Sequence, residues 1–372
     1  MKIKNNLKFG ITANLNIIGK DGKKRRALSN VENLILDSGM IDIGSVSLSN
    51  FQQYCHKGDD GTGNSLDSGV ITASQSGTTV TSSGAIFLSA QVGDLIKFDS
   101  GEEHYITSFT SSTEVEVNIS ATVASTEFTI WNVNRTALGS ETALTATLNA
   151  TSTWSESSGV ITRTVTHIFP AQVAAENVAE LGWGHENNAN IGSRVALGAP
   201  VALAIGEQLE VESNFEMRQT PRVATAIDPT SDEGAFAGDV KIEGIGYGNL
   251  DTNMDDGLEP AKTWNSFIIT DTAALNAYGT VYYVGALGAA NIKAMAMNAS
   301  PTSAPWIREG VSVYSTSEAN ITIGSLGISG VTQSGGFNYS GLRLLLTTPQ
   351  AKANDQTLTL TFQCEWERNL TN

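Results

Sequence analysis

Two stretches of the chain show the same alternating pattern, and this pattern limits the fold more than any other feature. Residues 206–221 read GEQLEVESNFEMRQTP, and residues 354–369 read NDQTLTLTFQCEWERN. In both, apolar residues occupy every second position after a turn. They are Leu209, Val211, Phe215 and Met217 in the first stretch, and Leu358, Leu360, Phe362, Cys364 and Trp366 in the second. Because successive side chains of a strand point to opposite faces, each stretch predicts a half-buried strand.

The composition favours the same fold class. Of the 372 residues, 40% are hydrophobic and only 16% are charged, so Ser, Thr, Asn and Gly supply much of the polar surface. Thr suits a pleated surface, while Gly, Asn and Ser favour turns. We therefore predict a mainly β protein of two or three domains.

The segment SNVENLILDSGM (29–40) carries the clearest helix signal. Ser29 and Glu32 have the spacing of a capping box, and Gly39 lies where a helix would end. We predict one short helix over these residues.

The texture of the sequence changes between residues 69 and 133. Short period-2 runs alternate with turns there, which is typical of a small sandwich or barrel. The runs are Val70–Ala73, Leu95–Phe98, His104–Phe109, Glu114–Ile119 and Phe128–Trp131. DDGTGNS (59–65) would join naturally to NRTALGSET (134–142). We therefore predict a small β-barrel-like module, residues 69–133, inserted in a loop of the first domain.

A second domain is predicted after residue 220. Periodicity is lost and Pro and acidic residues accumulate near 219–235. One fixed shift places RVALGAP (194–200) on RLLLTTP (343–349) and aligns the two alternating strands without a gap. We predict two related β-sandwich domains, 1–68 plus 134–220 and then 221–372, the second being a divergent duplicate. Each is expected to end on a strand that completes a sheet, so that the second ends the chain by pairing.

Charge is distributed unevenly along the chain. Residues 1–28 hold eight basic residues and one acid, so they carry +7, and the remainder carries −23 of the net −16. An acidic body repels nucleic acid and anionic membranes, so neither is expected as a partner. FGITANLNIIGKDGKKRR (9–26) predicts a hairpin with a tight Asp21-Gly22 turn, at which most of these basic residues lie.

This basic hairpin is the predicted assembly contact. It carries Lys20, Lys23, Lys24, Arg25 and Arg26. Set against an acidic face of an adjacent subunit or of another protein, it would relieve repulsion between acidic bodies. A solvated face and a contact with packaged DNA are the alternatives.

Compartment signals indicate synthesis in the cytosol. Cys55 and Cys364 show neither CxxC spacing nor a disulfide framework, which fits a reducing environment. MKIKNNLKFGITANLNIIG has no apolar core of a signal peptide, and the apolar run ALGAPVALAI (196–205) is too short to cross a bilayer. We expect a protein made without Sec export.

Several pieces of the sequence, in their order, resemble tail and tail-fibre structural proteins of tailed bacteriophages. They are NLILDSGM after the basic hairpin, GDDGTGNS before the inserted module, TRTVTHIFPA, GSRVALGAPVALAIGEQLEVESNFEMRQTP and LTLTFQCEWERN. The resemblance covers mainly 25–70 and 155–220, and 235–340 has no counterpart in it. It implies a virion component, assembled in the host cytoplasm as a ring or trimer, that docks on other tail or head-tail proteins.

Motifs for catalysis and for cofactor binding give no site. The four histidines, His56, His104, His167 and His185, lack the spacing of a zinc site. No GxSxG elbow, P-loop or Cys-His signature occurs, and GIGYG (244–248) indicates a turn or a tight strand contact. The 38 acids offer no identifiable carboxylate pair. We predict neither enzyme activity nor a cofactor.

One acidic loop, DTNMDDGLE (251–259), partly matches a calcium loop. Asp251, Asn253 and Asp255 have the spacing of its first ligands. The glycine comes late, at Gly257, and Lys262 stands where a bidentate Glu belongs, so we predict no metal there or in HKGDDGTG (56–63).

A carbohydrate-binding adhesin that recognises the host surface is the alternative function, and an enzyme acting on that surface is a third. Trp183 in LGWGHENN and Trp306 in SAPWIREG lie among turn residues, which predicts exposed indoles able to stack on sugar rings. Trp131 and Trp366 lie on alternating strands and are predicted to fill cores.

Overall fold

The computed structural model describes residues 2–45, 51–146, 153–157, 160–185, 190–219, 238–241, 266–270, 283–284, 292–329, 331–333, 337–339, 342–368 and 370. Within these ranges, 26 strands accompany one α-helix, α1 (Asp37–Ser45), and a short 3-10 turn at Ser89–Gln91. The predicted mainly β class is confirmed.

The strands are numbered in chain order. Up to residue 219 they are β1 (Lys2–Ile18), β2 (Lys24–Ile35), β3 (Tyr54–Gly58), β4 (Ser65–Asp67), β5 (Ala73–Ser82), β6 (Leu95–Phe98), β7 (Glu103–Ser111), β8 (Glu114–Thr126), β9 (Phe128–Trp131), β10 (Glu141–Ala146), β11 (Thr153–Ser157), β12 (Val160–Ile168), β13 (Glu176–Gly184), β14 (Ser193–Leu203) and β15 (Gln208–Gln219).

The described strands that follow are shorter on average. They are β16 (Gly238–Lys241), β17 (Ser266–Thr270), β18 (Tyr283–Val284), β19 (Ile292–Ala294), β20 (Ala296–Met297), β21 (Ile307–Tyr314), β22 (Thr322–Ser329), β23 (Val331–Gln333), β24 (Phe337–Tyr339), β25 (Leu342–Ala351) and β26 (Leu358–Arg368). Five of them form a sheet in the order β16-β25-β22-β17-β19, and three form the sheet β18-β24-β23.

Twelve strands form one large sheet. Its main path runs β10-β3-β13-β14-β2-β1-β15-β12-β11, and β26, β21 and β20 join it beside β1. Strand β2 joins the two arms of this path. The arm β10-β3-β13-β14 pairs with Leu34 and Ile35 of β2, and the arm β1-β15-β12-β11 pairs with Lys24–Asn33. Side chains from the two arms meet in one core cluster, which includes Leu15, Trp183 and Val211.

Strand β1 is paired along both of its edges. On one edge β15 runs antiparallel to it, with Leu209 opposite Ile17. On the other edge β2 pairs antiparallel with the second half of β1, and β26 pairs parallel with Lys2–Phe9. The two alternating strands of the sequence, β15 and β26, therefore flank β1 from opposite sides. Both are interior strands, since β12 covers the far edge of β15 and β21 that of β26.

Strand β26 pairs on both edges, in a sheet that is not confined to residues 221–372. Strands β20, β21 and β26, all from the predicted domain 221–372, belong to the large sheet. The core beneath them combines residues from both sides of the predicted boundary, among them Phe9, Tyr314 and Trp366. The physical reason is the length of β1, which extends beyond β2 and leaves an edge that β26 fills. The proposed duplication itself stays a prediction.

The predicted helix over 29–40 is misplaced. Its first part belongs to β2, and α1 begins at Asp37. Pairing with β1 satisfies the backbone groups of β2, and this outweighs a local capping-box spacing. Gly39 lies inside α1 and not at its end. A Cβ there would collide with the carbonyl of Gly192, so this glycine permits a close approach of two backbones.

Strands β4 to β9 form a separate six-stranded sheet in the order β4-β9-β6-β7-β8-β5. We call it the inserted sheet, because it lies in sequence between β3 and β10, which pair with each other. It has a core cluster of its own, which includes Val80, Phe98 and Phe128. Another cluster, in which Leu95 and Val133 meet Leu36, attaches it to the helix end of the large sheet.

The segments that lead into and out of the inserted sheet run side by side and form a neck. The Asp59 N–H donates to the Ser140 carbonyl at 3.1 Å, and the Asn132 N–H donates to the Asn64 carbonyl at 2.9 Å. Backbone hydrogen bonds therefore join the two segments at both ends of the neck.

A buried ion pair holds this neck. Arg194 and Glu180 are both fully buried, and their charged groups are 2.8 Å apart. Arg194 also donates to Asn64 Oδ1 at 2.6 Å and to the Thr62 carbonyl at 2.9 Å on the incoming segment. Glu180 accepts two backbone N–H groups of the outgoing segment at 3.0 and 2.8 Å. One ion pair therefore binds both segments of the neck.

Candidate assembly surface

The basic hairpin forms as the sequence predicts. The Gly19 N–H donates to the Lys23 carbonyl at 2.8 Å, and the Gly22 N–H donates to the Gly19 carbonyl at 2.9 Å. Gly22 has a φ of +75°, a conformation that glycine adopts without strain. Asp21 accepts the Lys23 N–H at 3.0 Å and closes the turn. The Asp21-Gly22 turn between β1 and β2 is confirmed.

Two other segments lie against this turn. The side chain of Lys20 packs over Gly206, in the turn between β14 and β15. That turn is bonded to the loop after β12, because the Gly206 N–H donates to the Gln172 carbonyl at 2.7 Å and the Gln172 N–H donates to the Glu207 carbonyl at 2.8 Å. We call residues 18–26, 168–173 and 204–207 together the hairpin-end surface.

All five basic side chains of the hairpin are exposed, but two of them are paired within the chain. Lys24 forms an ion pair with Glu210, and Arg25 lies 3.4 Å from Glu207. The pKa of Glu207 is lowered, chiefly by the hydrogen bond from the Ala204 N–H and also by the Arg25 and Lys20 charges. The positive charge of the surface is therefore smaller than the sequence indicates.

The other three cations carry the remaining charge. Lys20, Lys23 and Arg26 are exposed, and Lys23 Nζ lies 3.4 Å from the Asp21 carboxylate in the same turn. A contact between two groups this exposed contributes little to stability. These three side chains are the ones best placed to meet a charged partner.

Aliphatic side chains lie among these charges. Val173 is 93% exposed, Ile205 is 55% exposed and Ile168 is 47% exposed. Exposed aliphatic groups beside charges are a feature of protein interaction surfaces. The sequence alone does not reveal these exposed aliphatic side chains. Ile205 belongs to the apolar run 196–205, and no local signal places it in the turn between β14 and β15.

Trp183 does not take the exposed position that was predicted. It lies in β13 and is 0% exposed, within the core cluster shared by the two arms of the large sheet. Its turn-like neighbours Gly182 and Gly184 belong to the same strand, where side chains would collide with Ile191 and Asn190. An indole with no exposed face cannot stack on a sugar.

Trp306 is also buried, at 6% exposure. It packs in the core cluster under β26, and the Arg368 guanidinium lies 6.0 Å from its ring centroid. Its expected exposure is therefore wrong as well, because Trp306 lies beside β26, where its carbonyl accepts the Trp366 N–H at 3.0 Å. Trp366 fills the same core, as predicted, and Trp131 is only partly buried.

Two of the histidines lie beside carboxylates. His56 Nδ1 lies 3.2 Å from Glu141, and His185 Nδ1 lies 2.9 Å from Asp42. Burial lowers the pKa of His104, lowers that of His56 and brings that of His167 to about 4. Over the described ranges, no group of three His, Cys, Asp or Glu side chains is arranged to hold a metal ion. The loop 251–259 lies outside the described residues.

A buried carboxyl in the inserted sheet shows the opposite shift. Asp94 is 3% exposed, and burial raises its pKa to about 7 despite a hydrogen bond from the backbone of Asn134 and the nearby charge of Arg135. The side chain is thus partly protonated at neutral pH.

Comparison of the chain with protein-family models, with curated proteins and with solved structures found no match in any of the three. None of the helical residues that the structure describes forms a segment with the length and apolar character needed to span a membrane.

Proposed function

We propose that this chain is a structural subunit of a bacteriophage virion, which associates with copies of itself into a ring or trimer and docks on other tail or head-tail proteins. The observation that carries the self-association is the hairpin-end surface, where exposed aliphatic groups lie among exposed cations on a chain of net negative charge. The virion assignment rests on the sequence resemblance. The alternative, a glycan-binding adhesin, loses both of its candidate tryptophans to burial.

Charge complementarity favours a second copy of the chain as the occupant of this surface. Five basic residues lie at the hairpin of a chain whose net charge is −16, so every copy offers a basic end to a body of net negative charge. Contact between the basic end of one subunit and an acidic face of the next lowers the repulsion between the bodies. The aliphatic groups add a contribution that salt does not screen.

We also propose the finer architecture expected from the sequence. Residues 1–68 plus 134–220 form a β-sandwich, and residues 69–133 form a small β-barrel-like module inserted in it. The core shared by the two arms of the large sheet supports the first part, and the separate core and narrow neck of the inserted sheet support the second.

The test of self-association compares charge variants by native mass measurement and sedimentation, at low and high ionic strength. Changing all five hairpin cations to Ser should leave the monomer folded and weaken assembly most at low salt. A variant with Ser at only Lys20, Lys23 and Arg26 should keep most of that effect. Its control carries Ser at Lys24 and Arg25, which are paired within the chain, and should assemble better than the triple variant.

The aliphatic part of the surface has its own test. Val173→Ser with Ile205→Ser should weaken assembly at both salt concentrations. Val70→Ser, in the turn between β4 and β5 and 94% exposed, is the matched control. A wild-type chain that stays monomeric at every concentration measured, or surface variants that assemble like wild type, would refute the proposal.

A further inference from the structure

Lys57 is a buried lysine in β3, a strand that pairs with β10 on one edge and with β13 on the other. Its side chain is 3% exposed, and its Nζ forms an ion pair with Glu176, at the start of β13. The fully buried ring of Phe169 lies 5.5 Å from Nζ and provides an apolar wall. Lysine is seldom buried to this degree, and a buried amine can act as a nucleophile when a nearby group takes its proton.

The side-chain amide of Gln172 contacts both charged groups. Oriented so that both ends of the amide have partners, its Oε1 accepts from Lys57 Nζ at 2.9 Å and its Nε2 donates to Glu176 Oε2 at 2.7 Å. The second oxygen of Glu176 accepts from the Thr142 hydroxyl. The Gln172 N–H donates to the Glu207 carbonyl at 2.8 Å, which fixes the loop that carries the amide. An amine, a carboxamide and a carboxylate therefore meet within one hydrogen-bonded cluster.

This cluster meets the geometric requirements for acyl transfer from glutamine to lysine. Nζ of Lys57 lies 2.9 Å from the carbonyl oxygen of Gln172, so a small rotation of the amide brings the carbonyl carbon to the roughly 3–3.5 Å from which bonds form. Glu176 contacts both the attacking nitrogen and the amide nitrogen that leaves. A carboxylate at hydrogen-bond distance from both can move protons between them. Gln172 and Glu176 are half-buried, so ammonia released between them has a path to solvent.

We propose that Lys57 and Gln172 become joined by an intramolecular isopeptide bond, and that Glu176 transfers the protons for its formation. The bond is a covalent modification made within one chain, and it does not rest on the proposed self-association. It connects β3 to the loop after β12, which is part of the hairpin-end surface. It also closes a covalent loop of the chain that contains the whole inserted sheet, β4 to β9.

The reaction exchanges one amide for another. Glu176 takes a proton from the Lys57 ammonium, and the neutral Nζ attacks Cδ of Gln172 while the π electrons of the carbonyl move to its oxygen. Glu176 then gives its proton to Nε2 of the glutamine and takes one from Nζ. The carbonyl forms again, the Cδ–Nε2 bond breaks, and Nε2 leaves as ammonia, which takes the proton from Glu176. The products are a secondary amide and one ammonium ion, so charge and oxidation state are conserved and no further reactant is needed.

Intact-mass spectrometry of the purified full chain, denatured and reduced, is the primary test. The wild-type mass should be lower than the mass of the sequence by one ammonia. Tryptic mapping should recover one branched peptide that joins the segments around Lys57 and Gln172, because trypsin does not cleave after an acylated lysine. Without the bond, the same three side chains are a hydrogen-bonded ion pair, and the mass equals that of the sequence.

Two variants each remove one of the groups that the reaction needs. Glu176→Gln keeps the size of the proton-transfer group, and Gln172→Met removes the amide. Each variant should have the mass of its own sequence. Gln208→Met is the matched control, since Gln208 Nε2 donates to the Phe169 carbonyl at 3.3 Å in the same region, and it should keep the missing ammonia.

A second contact between a buried lysine and a side-chain amide provides an internal control. Lys352 is 6% exposed, and its Nζ donates to Asn320 Oδ1 at 2.9 Å. Its other hydrogen bonds within the described residues reach the carbonyls of Ser315 and Ala353, which cannot take its proton. Lys352 and Asn320 should therefore stay unlinked.

A cut in the covalent loop gives an independent measurement. A protease site placed at Val70, which is 94% exposed between β4 and β5, lies inside this loop. After cleavage, the wild-type chain should still run as one species on a reducing, denaturing gel. Glu176→Gln with the same protease site should separate into two fragments.

A wild-type mass equal to that of the sequence overturns the proposal, whether or not any variant folds. A missing ammonia that maps to residues other than Lys57 and Gln172 also overturns it, as does equal linkage of Lys352 to Asn320. An unchanged amount of the bond in Glu176→Gln overturns the role of that carboxylate. All masses are measured on denatured chains, so a failure of the proposed self-association leaves these outcomes unchanged.

Discussion

Replacing Arg194 by Met should open the neck of the inserted sheet. The substitution leaves the Glu180 carboxylate in a fully buried position, with two backbone N–H groups but no counter-charge. It also removes the donors to Asn64 Oδ1 and to the Thr62 carbonyl. Breaking a buried ion pair on one side costs about 3–5 kcal/mol, and we expect a loss of stability in this range.

The double variant separates the charge from the packing. Arg194→Met with Glu180→Leu removes both charges, so only the two backbone N–H groups and the acceptors of the incoming segment lose partners. Replacing a whole buried pair by apolar groups is much less costly than breaking it. The double variant should therefore be more stable than the sum of the single effects predicts, with a coupling of about 2 kcal/mol or more.

Hydrogen exchange is the direct assay, because a chain of several sheets need not unfold in one step. Amides of residues 59–64 and 139–142 should lose protection in Arg194→Met, while the hairpin should not change. Arg218→Met removes an exposed ion pair and should cost less than about 1 kcal/mol. The reasoning is refuted if Arg194→Met costs no more than Arg218→Met, or if the coupling is near zero.

Four further predictions concern buried side chains and the inserted module. Asp94→Asn should stabilise the protein by about 1–2 kcal/mol near pH 7. The raised pKa of the Asp94 carboxyl gives stability below pH 3.8 that is lost as the pH rises through about 7. Equal pH profiles of the two proteins in thermal unfolding would contradict this prediction. His167→Gln should reduce the acid destabilisation between pH 6.5 and about 4, since a lowered histidine pKa gives stability above 6.5 that is lost on acidification, and the same unfolding series checks it. Leu209→Asp and Leu358→Asp should each cost about 3–5 kcal/mol in denaturant titrations, since both side chains are buried on interior strands, and a loss below about 1 kcal/mol would mean an exposed edge. Replacing 69–133 by a short Gly-Ser bridge should leave a cooperative, β-rich transition by circular dichroism, and loss of all ordered structure would exclude an independent insertion.

Local patterns predict the parts of this fold that local forces decide. The alternation from Leu209 to Met217 gives the buried face of β15, and the Asp21-Gly22 pair gives the hairpin turn. The capping-box spacing misleads, because a serine three residues before a glutamate also fits a strand, and long-range pairing with β1 decides between the two. Nothing local shows that β26 pairs with β1.

The candidate assembly surface could also be predicted only in part. The basic residues are evident in the sequence, but the pairing of Lys24 and Arg25 with Glu210 and Glu207 depends on contacts some 180 residues apart. The burial of Trp183 depends on the second arm of the sheet folding over it. In the sequence, a glycine in a turn cannot be distinguished from a glycine that permits a close strand contact, as Gly182 and Gly184 do.

The parallel pairing of β1 with β26 sets an order of events during synthesis. Lys2–Phe9 leaves the ribosome long before its partner, whose pairing begins at Thr361. Until then this strip of β1 has an open edge with unpaired backbone groups, and such edges invite pairing with other chains. The hairpin and β15 can form earlier, so the nascent protein passes through a stage in which most of the large sheet exists with one gap. During that interval, a chaperone or a neighbouring nascent chain would have access to the open edge of β1.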